Sequence, residues 1–289
     1  MPQTSNTHNL ITPTGRVVCY AIYGDPSLSR VIFYSHGFPA SRLEASIAHV
    51  EALKNGVSII ALDRPGFGGS EKLPGRRFED WADDVMLVAN HHSLANFELL
   101  AVSGGTPSAI AAAVLLRERV SHLTIISGIG PVCNSSSLKG MNPVNRLLLT
   151  LGHYAPWLGG VAIGVLVSLW RVFPRLIALW FGLLLPRADF KVLLQREFRV
   201  IFMRNILEAL SHGSAGPVAE FKLLASDWSY LLEKVSVPTT IWHGDSDTYV
   251  PLTMGRRVHS GIKGSELKVV PNAGHFMVVG MLDRVFRRE

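Results

Sequence analysis

The sequence predicts an α/β fold, a sheet interrupted by a helical insertion, and three observations carry that prediction. From Val17 to about residue 130, short β-rich runs alternate with segments of helical spacing. From Gly128 to about Tyr230 that alternation stops, and helical segments separated by Pro143, Pro156, Pro174, Pro186 and Gly213 replace it. The β pattern then returns at Thr239 to His243 and at Leu267 to Val270. This divides the chain into a core of residues 10–130 and 231–289 and an inserted helical unit of residues 131–230.

The elements follow in order. Met1 to Asn9 is polar and lacks an apolar run, so it reads as a loose tail rather than a signal peptide. Val17 to Tyr23 and Arg30 to Ser35 are β-rich, and Gly24, Asp25 and Pro26 between them read as the turn of a hairpin. Ser41 to Asn55 has helical spacing and ends at Gly56. Val57 to Leu62 is nearly all apolar, as a strand covered on both faces requires. Phe78, Trp81, Val85 and Val88 recur at helical intervals. Phe97 to Val102 is a strand, Pro107 to Arg119 an Ala- and Leu-rich helix, and Leu123 to Ser127 another strand. A short helix near Met277 to Arg288 closes the chain.

With 289 residues, 48% of them apolar, 17% charged and a net charge of +6, the chain can bury a full core, and wholesale disorder is excluded. The charge excess is too small to argue for nucleic acid unless it is concentrated. It is concentrated, in residues 131–230, where ten basic side chains meet five acidic ones. That stretch is also the most apolar part of the chain, a combination that suits amphipathic or anionic lipid-like molecules better than DNA. Gly159 to Trp170 and Leu176 to Leu185 are uncharged runs, but Arg171, Pro174 and Arg175 interrupt them, and each falls short of the roughly 20 residues of a spanning helix. They read as two short helices buried on one face; a weak contact of this unit with a membrane surface stays open, because an interfacial helix need not span. Cys19 and Cys133 form no disulfide scaffold and no zinc-ligand spacing, so a reducing cytoplasm is expected.

The sharpest chemical signal is Ala101-Val102-Ser103-Gly104-Gly105, between a strand and a helix. A serine on that sharp turn has its hydroxyl held clear of the backbone, and small flanking residues let strand and helix approach closely. Three other segments close strands in the same way. Ser35-His36-Gly37-Phe38-Pro39 offers a backbone N–H, His243-Gly244-Asp245-Ser246-Asp247 a carboxylate, and Asn272-Ala273-Gly274-His275-Phe276 an imidazole. Serine, aspartate and histidine in that chain order suit a hydrolytic triad on a sheet of this kind.

With His36 to Glu44, Asp63-Arg64-Pro65-Gly66-Phe67-Gly68-Gly69-Ser70, Ser103 to Pro107, Gly244 to Asp247 and Gly274-His275-Phe276, the chain resembles the α/β-hydrolase superfamily, in its capped serine esterase and C–C-hydrolase-like branch. The resemblance covers about two thirds of the chain, both flanks of the insertion. It implies eight mostly parallel strands, the first antiparallel, and a helical cap, or lid, inserted after strand six. It further implies Ser103 as nucleophile, His275 as general base and Asp247 as the acid that orients the imidazole, with Asp245 as the rival carboxylate. The oxyanion hole would be the backbone N–H groups of Phe38 and Gly104. His36, Gly37 and Asp63 would support the surrounding loops, as would Arg64 and Ser70.

A serine nucleophile sets this chain apart from the aspartate-dependent epoxide hydrolases and dehalogenases and makes hydrolysis of a carboxylic ester through an acyl-enzyme the default. C–C bond hydrolysis of diketone-like substrates is the alternative, as is a non-enzymatic small-molecule receptor on the same fold. Proline iminopeptidases differ in their Gly-Gly-Ser-x-Gly elbow and acidic lid, whereas this elbow begins at Ala101 and this insertion is basic. The insertion's large apolar side chains argue for an apolar or amphipathic substrate with an acyl or aromatic group, and Arg171, Arg175 and Arg187 could favour a substrate carboxylate or phosphate. No cofactor and no metal is called for, since His153, His212, His243 and His259 are scattered and no His-Glu-x-x-His occurs. The oligomeric state is not legible.

Overall fold

Alternate residues of the central strands go to opposite faces of one sheet, and both faces are covered. A computed structural model describes residues 6–183 and 185–288. The strands are β1 (Asn6–Ile11), β2 (Val17–Gly24), β3 (Val31–Ser35), β4 (Ser58–Leu62), β5 (Phe97–Val102), β6 (Val120–Ile126), β7 (Thr239–Gly244) and β8 (Glu266–Val270). They form one sheet in the order β1-β2-β4-β3-β5-β6-β7-β8. Phe33, Ile60 and Leu62 enter one core, while Ile32, Tyr34, Ile59 and Ala61 enter the other. That is why these strands read as apolar throughout.

The second face is covered by a 3-10 helix (Arg42–Ala48) with α1 (His49–Lys54) and α11 (Val278–Arg287), whereas α2 (Asp80–His91), α3 (Thr106–Leu115) and α10 (Leu252–Gly261) cover the first. Between β6 and β7 come α4 (Pro143–Tyr154), α5 (Pro156–Val172), α6 (Pro174–Leu183), α7 (Arg187–Leu194), α8 (Arg196–Ala209) and α9 (Ala215–Leu224). Proline at the first position starts α4, α5 and α6, where its missing N–H costs nothing. Leu149, Ile163, Val167, Trp170, Phe221 and Leu224 from these inserted helices join the first core. Leu147, Leu158, Val161, Val165, Leu176 and Leu179 remain exposed.

Three expectations are corrected. The hairpin between β2 and β3 does not form, because β4 lies between them. Ser58 at the head of β4 fills the gap: its hydroxyl accepts the Leu28 N–H at 3.1 Å, and Asp25 N–H donates to Val57 O at 2.9 Å. The hairpin partner of β2 is β1, so the sheet already includes Asn6 to Asn9, inside the segment read as a tail and ahead of the residue-10 boundary; residues 1–5 of that segment lie outside the described residues. β1 is an edge strand, which explains why its polar sequence carried no strand signal. Finally, the antiparallel strand is the second, not the first, since β2 opposes both β1 and β4 while β3 to β8 run parallel.

Candidate active site

Ser103 follows β5 directly and has φ of +50°, the left-handed region that a non-glycine residue adopts at a cost of about 1–3 kcal/mol. The turn is held by what surrounds it. Thr106 Oγ1 donates to Ser103 O at 2.7 Å and Ile129 N–H donates to the same oxygen at 3.2 Å. A Cβ on Gly105 would collide with the carbonyl oxygen of Ser35, so only glycine lets α3 sit this close to β3. Ala101 is fully buried between β3 and β6, a place that accepts its methyl group.

The imidazole arrives from beyond β8. His275 Nε2 lies 3.1 Å from Ser103 Oγ, and its Nδ1 lies 2.8 Å from Asp247 Oδ2. A carboxylate only accepts, so Nδ1 carries the proton and the neutral ring presents Nε2 to the serine hydroxyl. Asp247 is in turn fixed by its other oxygen, which accepts the Tyr249 and Val250 N–H groups at 2.8 and 2.9 Å. His243 Nε2 donates to Val250 O at 2.7 Å and closes the same loop. Burial by itself disfavours a charged His275, but the charge and hydrogen bond of Asp247, joined by the charges of Asp189 and Glu44, outweigh it and raise the imidazole above its ordinary 6.5. The rival Asp245 is exposed and accepts Asn272 N–H at 2.8 Å, stapling the loop after β8.

The loop after β3 is braced from beneath. His36 is fully buried; its Nδ1 donates to Gly37 O at 2.9 Å and its Nε2 accepts Arg64 N–H at 3.2 Å. Burial, then the neighbouring Arg64 charge, hold it well below the usual histidine range, so it is a neutral strut. Arg64 donates to His36 O and, at 2.9 Å, to Gly37 O. Asp63 accepts from Arg42 N–H at 2.6 Å and Gly69 N–H at 2.8 Å. A Cβ on Gly104 would stand 2.6 Å from Phe38 Cβ and 3.1 Å from Phe38 N, so the peptide units of Phe38 and Gly104 lie side by side at the serine turn.

Three buried or half-buried acids contribute in ways the sequence reading did not assign. Asp189, at the start of α7, accepts His275 N–H at 2.8 Å and Phe276 N–H at 2.7 Å. Glu220 on α9 lies 3.0 Å from Arg64 Nε and also pairs with Arg76, so an inserted helix neutralises the arginine under the Gly37 loop. Glu44 accepts Gly37 N–H at 2.7 Å; burial pushes its carboxyl up to about 6, against the opposing pull of that N–H. One signal was available for Asp189: it is the first acid after seventy residues, 119–188, that contain none.

A cavity of about 240 Å³ opens over Ser103 and His275. It lies just below the range of roughly 300–1,000 Å³ usual for small-molecule pockets, which suits a substrate of modest size. Its walls are Phe38, Leu148, Ile163, Trp170, Phe181, Phe202 and other apolar side chains, with Glu44, Asn145, Asn205 and Tyr249 as polar exceptions. Arg171, Arg175 and Arg187 are exposed and do not line it, so these arginines place no charge on the cavity wall. Among the described residues no group of three His, Cys, Asp or Glu side chains is placed to hold a metal ion.

Comparison with known proteins agrees with this architecture. The model of the family described as serine aminopeptidase, S33, matches residues 27–279, so the chain belongs to that family of α/β hydrolases. AB hydrolase superfamily protein YisY of Bacillus subtilis is 27% identical over 251 residues, covering 85% of each chain. A 2-hydroxy-6-oxononadienedioate/2-hydroxy-6-oxononatrienedioate hydrolase of Escherichia coli is 26% identical, covering 78% of this chain and 72% of its own. Among solved structures, a thermophilic esterase from Thermogutta terrifontis superposes with a TM-score of 0.67 at 22% identity, over 98% of this chain and 96% of its own, a likeness of fold.

Proposed function

We propose that this hydrolase cleaves carboxylic esters of uncharged apolar acyl or aromatic acids through an acyl-enzyme. The supporting observation is the relay in which Ser103 Oγ, His275 Nε2 and Asp247 Oδ2 follow one another at 3.1 and 2.8 Å beneath an apolar cavity. In this reading His275 takes the Ser103 proton as the oxygen attacks the ester carbonyl. The Phe38 and Gly104 N–H groups receive the developing oxyanion; loss of one such donor costs about 3 kcal/mol of barrier. His275 then returns the proton to the departing alkoxide. A water molecule, deprotonated by the same ring, releases the acid and restores the serine. The helices between β6 and β7 serve as the cap that shapes the acyl pocket.

Glu44 is the observation that separates substrate classes. The Escherichia coli relative is named for dioates, substrates with two carboxylates. In this cavity Glu44 supplies a carboxylate and no lysine or arginine among the lining residues offers a counter-charge, which favours a neutral ester over a dianionic diketone. The test is a panel of chromogenic short- and medium-chain esters, a meta-cleavage diketone and an aminoacyl anilide, with fluorophosphonate labelling and mass mapping of the labelled residue. Expected are ester turnover and a label on Ser103, both lost in Ser103→Ala. Saturable ligand binding with negligible turnover of every substrate would establish a receptor instead.

A further inference from the structure

The helices α5 and α6 have two apolar faces. The inner one lines the cavity through Ile163, Trp170 and Phe181. The outer one is open among the described residues: Trp157, Val161, Val165 and Val172 of α5 and Leu176 and Leu179 of α6 are all exposed, Trp157 to 71%. With Leu169, also exposed, the α5 positions recur every three to four residues, so they form one stripe along the helix. Among the described residues no single helix is long and apolar enough to cross a membrane, and α5 and α6 meet at a bend of 115°. The pair has the length and composition of a span only when taken together, and a break of 115° suits two short helices lying on a surface better than one path through it.

We infer that this outer face docks the protein on an anionic membrane surface, independently of what the cavity hydrolyses. Charge selects that occupant. Within the inserted unit, residues 131–188 carry five basic side chains and no acid, and Arg171 and Arg175 are exposed at the bend between the two apolar helices. Tryptophan at the rim of an apolar stripe and arginine beside it are the side chains that settle at the headgroup level of a bilayer. A second copy of the chain fits poorly. A two-fold contact places the same patch on both sides, so the arginines of each copy would meet with no acid from this stretch to pair with them. Trp180 both lines the cavity and is 43% exposed, so the docked face adjoins the substrate site.

The experiment is co-sedimentation of the full chain with vesicles of equal parts phosphatidylcholine and phosphatidylglycerol, and with phosphatidylcholine alone. The Ser103→Ala variant is run in parallel, so binding is scored whether or not the hydrolytic reading holds. Expected are binding to the anionic vesicles that weakens as salt rises, much weaker binding to the neutral ones, and a roughly thirtyfold loss of affinity in Arg171→Gln/Arg175→Gln, about fivefold per charge. Trp157→Ser, at an exposed position, lowers binding to both vesicle types, with circular dichroism showing that the fold is kept. Failure of the folded protein to pellet with anionic vesicles at low salt would overturn the inference. So would unchanged binding in the double arginine variant, or a concentration-dependent dimer abolished by Trp157→Ser in a protein that ignores vesicles.

Discussion

Asp189 Oδ2 accepts the backbone N–H of His275 at 2.8 Å, across 86 positions of sequence, and joins the first turn of α7 to the loop that carries the imidazole. The neighbouring oxygen holds Phe276 N–H, so one side chain of the inserted helices grips the His275 loop from its backbone side. A Cβ on Gly274 would collide with this carboxylate, so glycine there is part of the same contact.

Asp189→Ala leaves two N–H groups without acceptors in a buried place, at a cost of about 1–3 kcal/mol each. The expected outcome is a fall in kcat of at least about tenfold with a smaller change in KM, because the His275 ring loses its support while the apolar walls stay. Asp189→Asn keeps one acceptor and removes the charge. Since that charge raises the imidazole pKa, the acid limb of kcat/KM moves to lower pH in Asp189→Asn. A variant that only unfolds the loop would lose rate without moving the limb.

The pH profile follows from the state of His275. In the proposed mechanism His275 acts only when neutral, and Asp247 raises its pKa, so kcat/KM of the native protein is expected to fall on acidification with a midpoint above 6.5. Asp247→Asn removes the largest of the charges that oppose burial, which shifts the midpoint downward. It also permits the wrong tautomer, with an expected rate loss of about 10⁴ in kcat. Steady-state kinetics across pH on one neutral ester measures both effects.

Selectivity is expected to turn on Glu44. Glu44→Gln preserves an oxygen for Gly37 N–H and removes the carboxylate charge from the cavity wall. The ratio of kcat/KM for a hemisuccinate ester over its neutral analogue rises severalfold, consistent with a like charge relieved at partial burial. The substitution is a cleaner probe than acidification. Burial pushes the Glu44 carboxyl up to about 6, and His275, raised above its ordinary 6.5, is itself protonated in that range.

Stability is expected to depend on Glu220. Its carboxylate and the Arg64 guanidinium are both fully buried, and Arg76 completes the cluster. Glu220→Gln leaves two buried cations facing each other, a change that costs about 3–5 kcal/mol in comparable buried pairs. Urea denaturation reads that loss as a lower midpoint. Arg64 also carries the Gly37 carbonyl at 2.9 Å, so ester turnover drops in the same variant.

The sheet was legible because burial on both faces leaves a plain mark: Val57 to Leu62 and Phe97 to Val102 are almost wholly apolar, and each is a central strand. β1 left no such mark, since the edge strand is half solvated and its polar residues resemble a tail. The false hairpin came from reading Gly24-Asp25-Pro26 as a closing turn, when the chain there makes way for β4. In the site, Ser103, the Asp245–Asp247 segment and His275 each follow a strand within a recognisable short segment, so the meeting of a serine, a carboxylate and an imidazole could be expected from chain order. Asp189 and Glu220 belong to helices whose local sequence says only that they are helices.

By itself the sequence determined the alternation of strands and helices, the serine turn with its small neighbours, and the basic, apolar character of the insertion. These are properties of residues close together along the chain, governed by steric fit and solvent preference over a few positions. Only tertiary structure decided that Asp247 and not Asp245 meets the imidazole, that the insertion's arginines face outward, and that acids from the inserted helices hold the histidine loop and neutralise the arginine under the Gly37 loop. Those outcomes depend on desolvation and charge pairing between segments 28 to 156 residues apart, where each buried charge takes whichever partner the packed helices bring within reach.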